Sequence, residues 1–294
     1  MELVPRDLQI MDTVGQLGTA DTEILHRLHF PNDATGRACQ QRLRKLSDEE
    51  LLKRVRLIAV DADLRSGSLP MLYFLSEAGA DLVERETGGR PPRVSHSDPK
   101  PFTLRHRLDT VRARLAVDGA AKISGVPPVA WIMEQDSRSG QKSKKGHSPS
   151  EFLILHNRYQ HDGHTASFRP DAACHLRLPH HDEFASLLVY LEIDRSTEGH
   201  LQWKRKLQGI EAFVSDPKGW RLHWPDVTDP VIRIFVLCKT QRRIGELIET
   251  TRSSAAARYM RFATFPLNPE SVLAGDIWQS CDGELRRIIR GAAQ

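Results

Sequence analysis

Residues 185–194 constrain the fold of this chain more than any other segment, because an apolar run there ends in two acids. The length and composition of the run predict a buried β-strand. Side chains alternate along a strand, so Glu192 and Asp194 share one face with Tyr190. Two carboxylates at the end of an apolar strand are costly to desolvate unless something positive joins them. The run therefore predicts a sheet that carries a charged site at the end of one strand.

A third acid stands close to this run in the sequence. Asp171 follows Pro170 at the start of a second apolar segment, residues 168–176, which also predicts a strand. If Asp171, Glu192 and Asp194 converge, a divalent cation is the usual compensating partner. The alternative is a surface strand end whose acids pair with nearby cations, the candidates being Arg169, Arg195 and Lys206. The spacing fits both arrangements equally.

These residues carry a resemblance to a known family. Pro170-Asp171, followed by Glu192-Ile193-Asp194, resembles the core motif of the PD-(D/E)XK nuclease superfamily. The longer context resembles one branch of it, the plasmid replication-relaxation family. That context consists of residues 191–198, Lys206-Leu207, an apolar strand at 232–238 and Ile277-Trp278.

The resemblance covers most of the chain and implies an α/β fold of two parts. These are an N-terminal winged helix-turn-helix and a PD-(D/E)XK-like α/β core with a mixed central sheet. It implies catalytic roles for Asp171, Glu192 and Asp194, with the three acids as ligands of Mg²⁺ or Mn²⁺. One departure is that Asp194 stands where the superfamily has its lysine, two residues after the acid. A catalytic lysine must therefore come from elsewhere or be absent.

The helix predicted at residues 197–214 offers a substitute. Its buried face is defined by Trp203, Leu207, Ile210 and Val214. Lys206 lies about 60° from the centre of that face, whereas Lys204 lies about 100° away on the other side. Lys206 is therefore the cation predicted to lean toward Glu192 and to act in catalysis. The alternative is a rim lysine whose stem covers apolar surface.

The N-terminal part of the chain has a different pattern. Residues 1–87 predict the order helix, helix, helix, hairpin, helix, which is that of a winged helix-turn-helix domain. Residues 88–101, rich in proline, glycine and charge, predict a linker. Residues 102–294 alternate helices and strands in the order expected of a nuclease-like core, so they predict the second domain.

The third helix, predicted at about residues 34–46, is the candidate DNA-reading element. Cys39, Leu43 and Leu46 cluster on one face as a packed face should. The opposite face carries Arg37, Gln41, Arg44 and Lys45, with Arg42 to one side, and the helix contains no acid. Such side chains suit contacts to bases and phosphates. Arg65, between the two predicted strands, would lie in the wing and contact DNA as well. The alternative is an ordinary solvated helix face.

Composition narrows the class of protein. The net charge of +4 is mildly basic, and the four cysteines are scattered without a CxxC pair, so no disulfide framework or cysteine zinc site is indicated. Histidines crowd the region around Asp171, but their spacing does not favour a zinc cluster. No apolar run approaches 18 residues, and the N-terminus lacks a signal-like segment. We therefore expect a soluble, cytoplasmic protein without a membrane partner.

Two functions follow from these observations. The first is a DNA-binding accessory protein of plasmid or mobile-element replication and relaxation, whose nuclease-like domain nicks DNA with a metal ion. The second is a non-catalytic DNA-binding regulator whose second domain mediates oligomerisation or partner docking. No Walker motif supports nucleotide hydrolysis. The expected partner is double-stranded DNA, with a homodimer and other replication or mobilisation proteins as further candidates.

Overall fold

The computed structural model describes residues 2–57, 70–95, 101–138, 149–161, 163–180, 183–195 and 199–289. The chain divides into two compact units, Met1–Val111 and Arg112–Gln294, so the division falls inside a long helix. Among the described residues, no helix is long and apolar enough to cross a membrane.

The first unit consists of helices packed on a small sheet. Its elements are α1 (Pro5–Leu17), β1 (Ala20–Asp21), α2 (Thr22–His29), α3 (Arg37–Asp48), β2 (Leu52–Arg56), β3 (Met71–Leu75) and α4 (Glu77–Thr87). The three strands form an antiparallel sheet in the order β1-β3-β2. Helices and hairpin follow one another in the predicted order. The segment between β2 and β3, with Arg65, lies outside the described residues, and the winged-helix assignment stays a prediction.

Local sequence signals explain where these helices begin. Pro5 occupies the first turn of α1, where its missing N–H costs nothing. Asp21 caps α2 by accepting a hydrogen bond from the Ile24 N–H at 2.8 Å. Ser76 caps α4 in the same way, with its hydroxyl 3.0 Å from the Gly79 nitrogen.

The predicted linker is partly folded onto the first unit. The Arg90 guanidinium lies within 2.5–2.8 Å of carboxylates of Glu77, Asp81 and Glu84 on α4. The Arg93 N–H donates to the Gly15 carbonyl at 3.1 Å, and the Ser95 N–H donates to the Leu75 carbonyl at 2.8 Å. Because these backbone groups are bonded to the unit, this stretch is part of its structure and not a free connector.

The second unit is a mixed α/β structure. Helix α5 (Pro101–Ile123) leads into β4 (Ala130–Met133), α6 (Pro149–Phe152), β5 (Asn157–His161), β6 (His164–Phe168), β7 (Ala172–His180), β8 (Glu183–Asp194), α7 (His200–Ser215), β9 (Val231–Cys238), α8 (Gln241–Thr251), β10 (Met260–Thr264), α9 (Pro269–Val272), β11 (Trp278–Gln279) and β12 (Leu285–Arg286). Seven strands form one sheet in the order β12-β11-β10-β9-β8-β7-β4, and β5 pairs with β6 separately. Strands β8, β9 and β10 run parallel and their neighbours antiparallel, which confirms the predicted mixed sheet.

Strand β8 lies in the interior of this sheet and is covered on both faces. Leu188 and Tyr190 belong to the core under α7 and α8, which contribute Trp203, Leu207 and Ile244. The alternate residues of β8 belong to a second core under α5 and Trp278. Burial on both faces explains the continuous apolar run that marks β8 in the sequence.

Two predicted elements differ from the structure. The segment 168–176 is not one strand, because β6 ends at Phe168 and β7 begins at Ala172. Pro170 has no N–H to give to a sheet ladder, so the chain breaks there. The third helix of the first unit runs from Arg37 to Asp48, so it contains an acid in its last turn.

Candidate functional site

The two acids at the end of β8 are buried. Glu192 is 1% exposed and Asp194 is 3% exposed, and strand alternation places both on the face of Tyr190, beneath α7 and α8. Asp194 pairs in register with Cys238 of the parallel strand β9. The carboxylates therefore lie where two parallel strands end at the same edge of the sheet.

Glu192 is paired with a lysine from the following helix. The Lys206 ammonium lies 2.6 Å from Glu192 Oε2, and the lysine side chain is 24% exposed. A buried carboxylate needs such a counter-charge to remain ionised. Lys206 thus lies beside Glu192, as its angular position on the helix predicts, whereas Lys204 is exposed.

Asp194 is paired with an arginine that the sequence prediction missed. Arg243 Nη2 lies 2.8 Å from Asp194 Oδ2, and its Nε lies 3.2 Å from the same oxygen. These hydrogen bonds raise the pKa of Arg243. Arg243 lies in the first turn of α8, directly after β9. Because the carboxyl ends of β8 and β9 meet at one edge, a cation just after β9 was the signal that could have identified it.

Asp171 lies between β6 and β7 and is 8% exposed. Its Oδ2 accepts a hydrogen bond from the Ile193 N–H at 2.7 Å, and its own N–H donates to the Leu191 carbonyl at 2.9 Å. The pairing of β7 with β8 begins one residue later, at Ala172 and Leu191, so Asp171 contacts the backbone of β8 on either side of Glu192.

The structure does not bring the three acids together as one metal-binding group. Within the described residues, no group of three or more His, Cys, Asp or Glu side chains could hold a metal ion. Asp194 is bound by Arg243, so we do not assign it as a metal ligand. Asp171 and Glu192 carry carboxylate oxygens, the kind of ligand that Mg²⁺ and Mn²⁺ use.

Helix α7 is held against the separate hairpin by close backbone packing. A Cβ added to Gly209 would lie 1.9 Å from the Ser167 carbonyl oxygen in β6. Only glycine allows the two backbones to come so close. Gly209 is three residues beyond Lys206, so this contact holds α7 in place one turn from the lysine.

A buried polar chain lies next to the acids. Tyr190 Oη is 2.9 Å from His223 Nδ1, and Asn157 Nδ2 is 2.5 Å from His223 Nε2. An amide nitrogen can only donate, so Nε2 accepts and Nδ1–H donates to Tyr190. Burial, with a smaller contribution from the charge of Arg138, lowers the pKa of His223 to about 4. His223 is therefore neutral near pH 7.

In the first unit, α3 presents the predicted polar face to solvent. Arg37, Gln41, Arg44 and Lys45 are exposed, and Cys39, Leu43 and Leu46 are buried. The helix is not acid-free, because its last residue is Asp48. The Asp48 carboxylate lies 3.7 Å from the Arg44 guanidinium. Both side chains of this pair are more than half exposed, so it is weak.

Arg42 has a different environment from the other cations of α3. Its guanidinium forms two hydrogen bonds with the fully buried carboxylate of Asp7, and Nη2 also donates to the Glu2 carbonyl at 3.1 Å. Asp7 in turn accepts the Val4 N–H at 2.8 Å at the start of α1. This pair attaches α3 to α1, and the DNA contact by Arg42 stays a prediction.

Comparison with known proteins gives one finding. The model of the replication-relaxation family matches residues 11–223, well over half of the chain. The matched segment contains α3 and the three acids with Lys206, and it ends before Arg243. Neither a curated protein nor a solved structure matches the chain at a significant level.

Proposed function

This chain belongs to the replication-relaxation family, and we propose that its first unit binds duplex DNA and its second unit nicks DNA with a divalent metal ion. Family membership supports a role in the replication or relaxation of plasmids or other mobile elements. The proposal makes the protein a DNA-binding accessory of that process.

One observation carries the nicking proposal. Lys206 lies 2.6 Å from the buried Glu192, and Asp171 is hydrogen-bonded to the backbone of Leu191 and Ile193, which flank Glu192. Buried ion pairs seldom increase stability over well-packed apolar residues, so a cluster of them in an apolar sheet favours a functional role. The α–β–β–β–α–β order of α5, β4, β7, β8, α7 and β9 is the order expected of a nuclease-like core.

Each residue has a defined task in this proposal. Asp171 and Glu192 would hold Mg²⁺ or Mn²⁺, which when bound polarises the scissile phosphate and lowers the pKa of an attacking water. The Lys206 side chain would turn from Glu192 toward the phosphate, where its ammonium would offset the charge that develops in the transition state. Asp194 would act through Arg243 and not as a ligand.

DNA recognition is assigned to the exposed face of α3. Arginine and glutamine suit bidentate contacts to base edges, and Arg44 and Lys45 add contacts to phosphates. The neighbouring surface offers no buried acid to Arg37, Gln41 or Lys45 among the contacts described, so these side chains are placed to meet an anionic partner.

The test is a nicking assay with matched variants. Supercoiled plasmid incubated with Mn²⁺ and wild-type protein should give open circles, and Glu192→Ala should give none. Lys206→Ala should abolish nicking, whereas Lys204→Ala, two residues away on the same helix, should retain it. Circular dichroism must show that all three variants are folded. Equal losses from both lysine variants would indicate a general basic surface and contradict the role of Lys206.

A second function has an observation of its own. Arg243 neutralises Asp194, and the described residues hold no three-acid group, as expected of a site that no longer binds metal. In that case the protein is a non-catalytic DNA-binding regulator, and its second unit mediates oligomerisation or partner docking. Calorimetry that detects no Mn²⁺ binding by the wild type, even with DNA present, would favour this function over nicking.

A further inference from the structure

We propose that Arg243, oriented by Asp194, binds a DNA backbone phosphate at the edge of the sheet without the help of a metal ion. This inference rests on the proposed action of the second unit on DNA. It adds a residue outside the segment matched by the family model.

The first argument is the geometry of the guanidinium. Asp194 accepts hydrogen bonds from Nε and Nη2, and the Arg243 side chain is only 13% exposed. The carboxylate therefore holds one edge of the planar group in place. A fixed guanidinium binds phosphate with less loss of side-chain entropy than a mobile one, and its fork matches two phosphate oxygens.

The second argument is the acid that lies at Nη1. Glu246 Oε2 is 3.4 Å from Arg243 Nη1, and its other oxygen is 3.0 Å from the Nε of Arg242. Glu246 is about half exposed, whereas Asp194 is buried. Because the Glu246 carboxylate is about half exposed and 3.4 Å away, this contact is weaker than the one to Asp194 and is more easily exchanged. A phosphate oxygen can thus replace the Glu246 carboxylate while Asp194 keeps its hold.

The third argument is position. Glu192 and Asp194 are two residues apart on one strand face, which is about 7 Å along the strand. Each holds one cation within 2.6–2.8 Å, Lys206 from α7 and Arg243 from α8. The two cations therefore flank the same strand end, and a DNA strand that reaches Lys206 also reaches Arg243.

The test measures duplex binding by the full chain in EDTA, so that its outcome does not depend on nicking. Arg243→Lys keeps a positive charge beside Asp194 but loses the forked N–H donors of the guanidinium. We expect the affinity for duplex DNA to fall about tenfold. Arg242→Lys, its 90%-exposed neighbour, should leave affinity within about twofold. A second series carries Arg37→Ala/Arg44→Ala throughout, so that binding by α3 does not mask the difference.

An acid-to-amide pair tests the exchange with Glu246. Glu246→Gln should tighten binding about threefold, because the competing carboxylate is gone. Glu249→Gln makes the same charge change on the same helix, where Glu249 lies near Arg252, and should have a smaller effect. Thermal unfolding must show that all variants keep the wild-type fold.

Two outcomes would overturn the proposal. Equal losses from Arg243→Lys and Arg242→Lys, or equal gains from the two glutamate variants, would reduce Arg243 to a structural partner of Asp194. If either of these outcomes is found and the protein still nicks DNA, the proposed function stands and only the phosphate site is contradicted. If the wild type does not nick DNA but the expected binding differences are found, the phosphate site stands and only the catalytic role is contradicted.

Discussion

The cations of α3 and those at the end of β8 represent two ways to hold positive charge in this protein. Arg37, Arg44 and Lys45 lie on a solvent-exposed helix face, whereas Lys206 and Arg243 are each held by a buried carboxylate. Exposed side chains are mobile and adapt to a partner, but a paired, half-buried cation has a fixed direction. For the proposed binding of DNA, the first arrangement would suit movement along the duplex, and the second would suit holding one phosphate in one place.

Arg42 shows that one helix can contain both kinds of cation. The first prediction, with the largest effect, is that Asp7→Ala lowers the free energy of unfolding of the first unit by about 3–5 kcal/mol, because Arg42 loses its buried partner. Asp12→Ala on the same helix should change it by less than about 0.5 kcal/mol.

The measurement can be confined to the first unit. All five tryptophans, at positions 131, 203, 220, 224 and 278, lie in the second unit. Urea unfolding followed by circular dichroism at 222 nm should therefore show an early loss of helix in Asp7→Ala without an early change in tryptophan fluorescence. Equal stability of the two aspartate variants would show that the Asp7–Arg42 pair is not structural.

The second prediction concerns pH and the buried polar chain beside the acids. The pKa of His223 is lowered to about 4 in the folded protein, against 6.5 in the unfolded chain. Between these values the unfolded state binds more protons, so stability is full above pH 6.5 and falls as the pH is lowered toward 4. The loss should be on the order of 3 kcal/mol.

Urea unfolding by tryptophan fluorescence at several pH values checks this. His223→Gln should flatten the dependence between pH 6.5 and 4, even if the variant is less stable at pH 7. An unchanged slope in the variant would assign the pH dependence to other groups.

The third prediction tests the exposed arginines of α3. Arg37→Ala/Arg44→Ala should weaken duplex binding at least about tenfold, or 1–3 kcal/mol, because one bidentate contact and one phosphate contact are lost. The free energy of unfolding should stay within about 0.5 kcal/mol of wild type. A gel-shift titration measures the affinity, and Arg85→Ala on α4 is the exposed-arginine control.

An unchanged affinity of the folded double variant would exclude α3 as the DNA-reading helix. A large loss of stability would instead show that Arg37 and Arg44 have a structural role like that of Arg42. The contrast between exposed and carboxylate-held cations would then fail for α3.

The fourth prediction has the smallest effect. Lys45→Ala should weaken binding to all duplex sequences by a similar factor and reduce the slope of affinity against salt by about 1, as expected for one phosphate contact. Gln41→Ala should keep the salt slope and reduce the preference between sequences. Identical behaviour of the two variants would mean that α3 contacts only the backbone.

Periodicity predicted those features that depend on nearby residues. The apolar run at residues 232–238 predicted strand β9 to within one residue, and the angular position of Lys206 on α7 indicated its approach to Glu192. Arg243 and the Asp7–Arg42 pair were missed, because each joins residues far apart in the sequence. The hairpin β5–β6 was missed as well, since its residues are too polar to show the alternation of a buried strand.

The break at Pro170 shows a different limit. The apolar residues on both sides suggested one strand, but proline removes a ladder hydrogen bond, and Asp171 consequently lies before β7 and not within it. Its carboxylate is then able to reach across to the Ile193 N–H. The error in the strand boundary therefore concerned one of the three predicted site acids.

The contact between Gly209 and Ser167 makes the alignment of the charged site depend on a hairpin that carries none of its acids. Even a methyl group at position 209 would push α7 outward, and the ammonium of Lys206 would move with the helix away from Glu192. A substitution at position 209 therefore requires a compensating change in the hairpin. An engineer who transplants α7 into another sheet has to carry β6 with it.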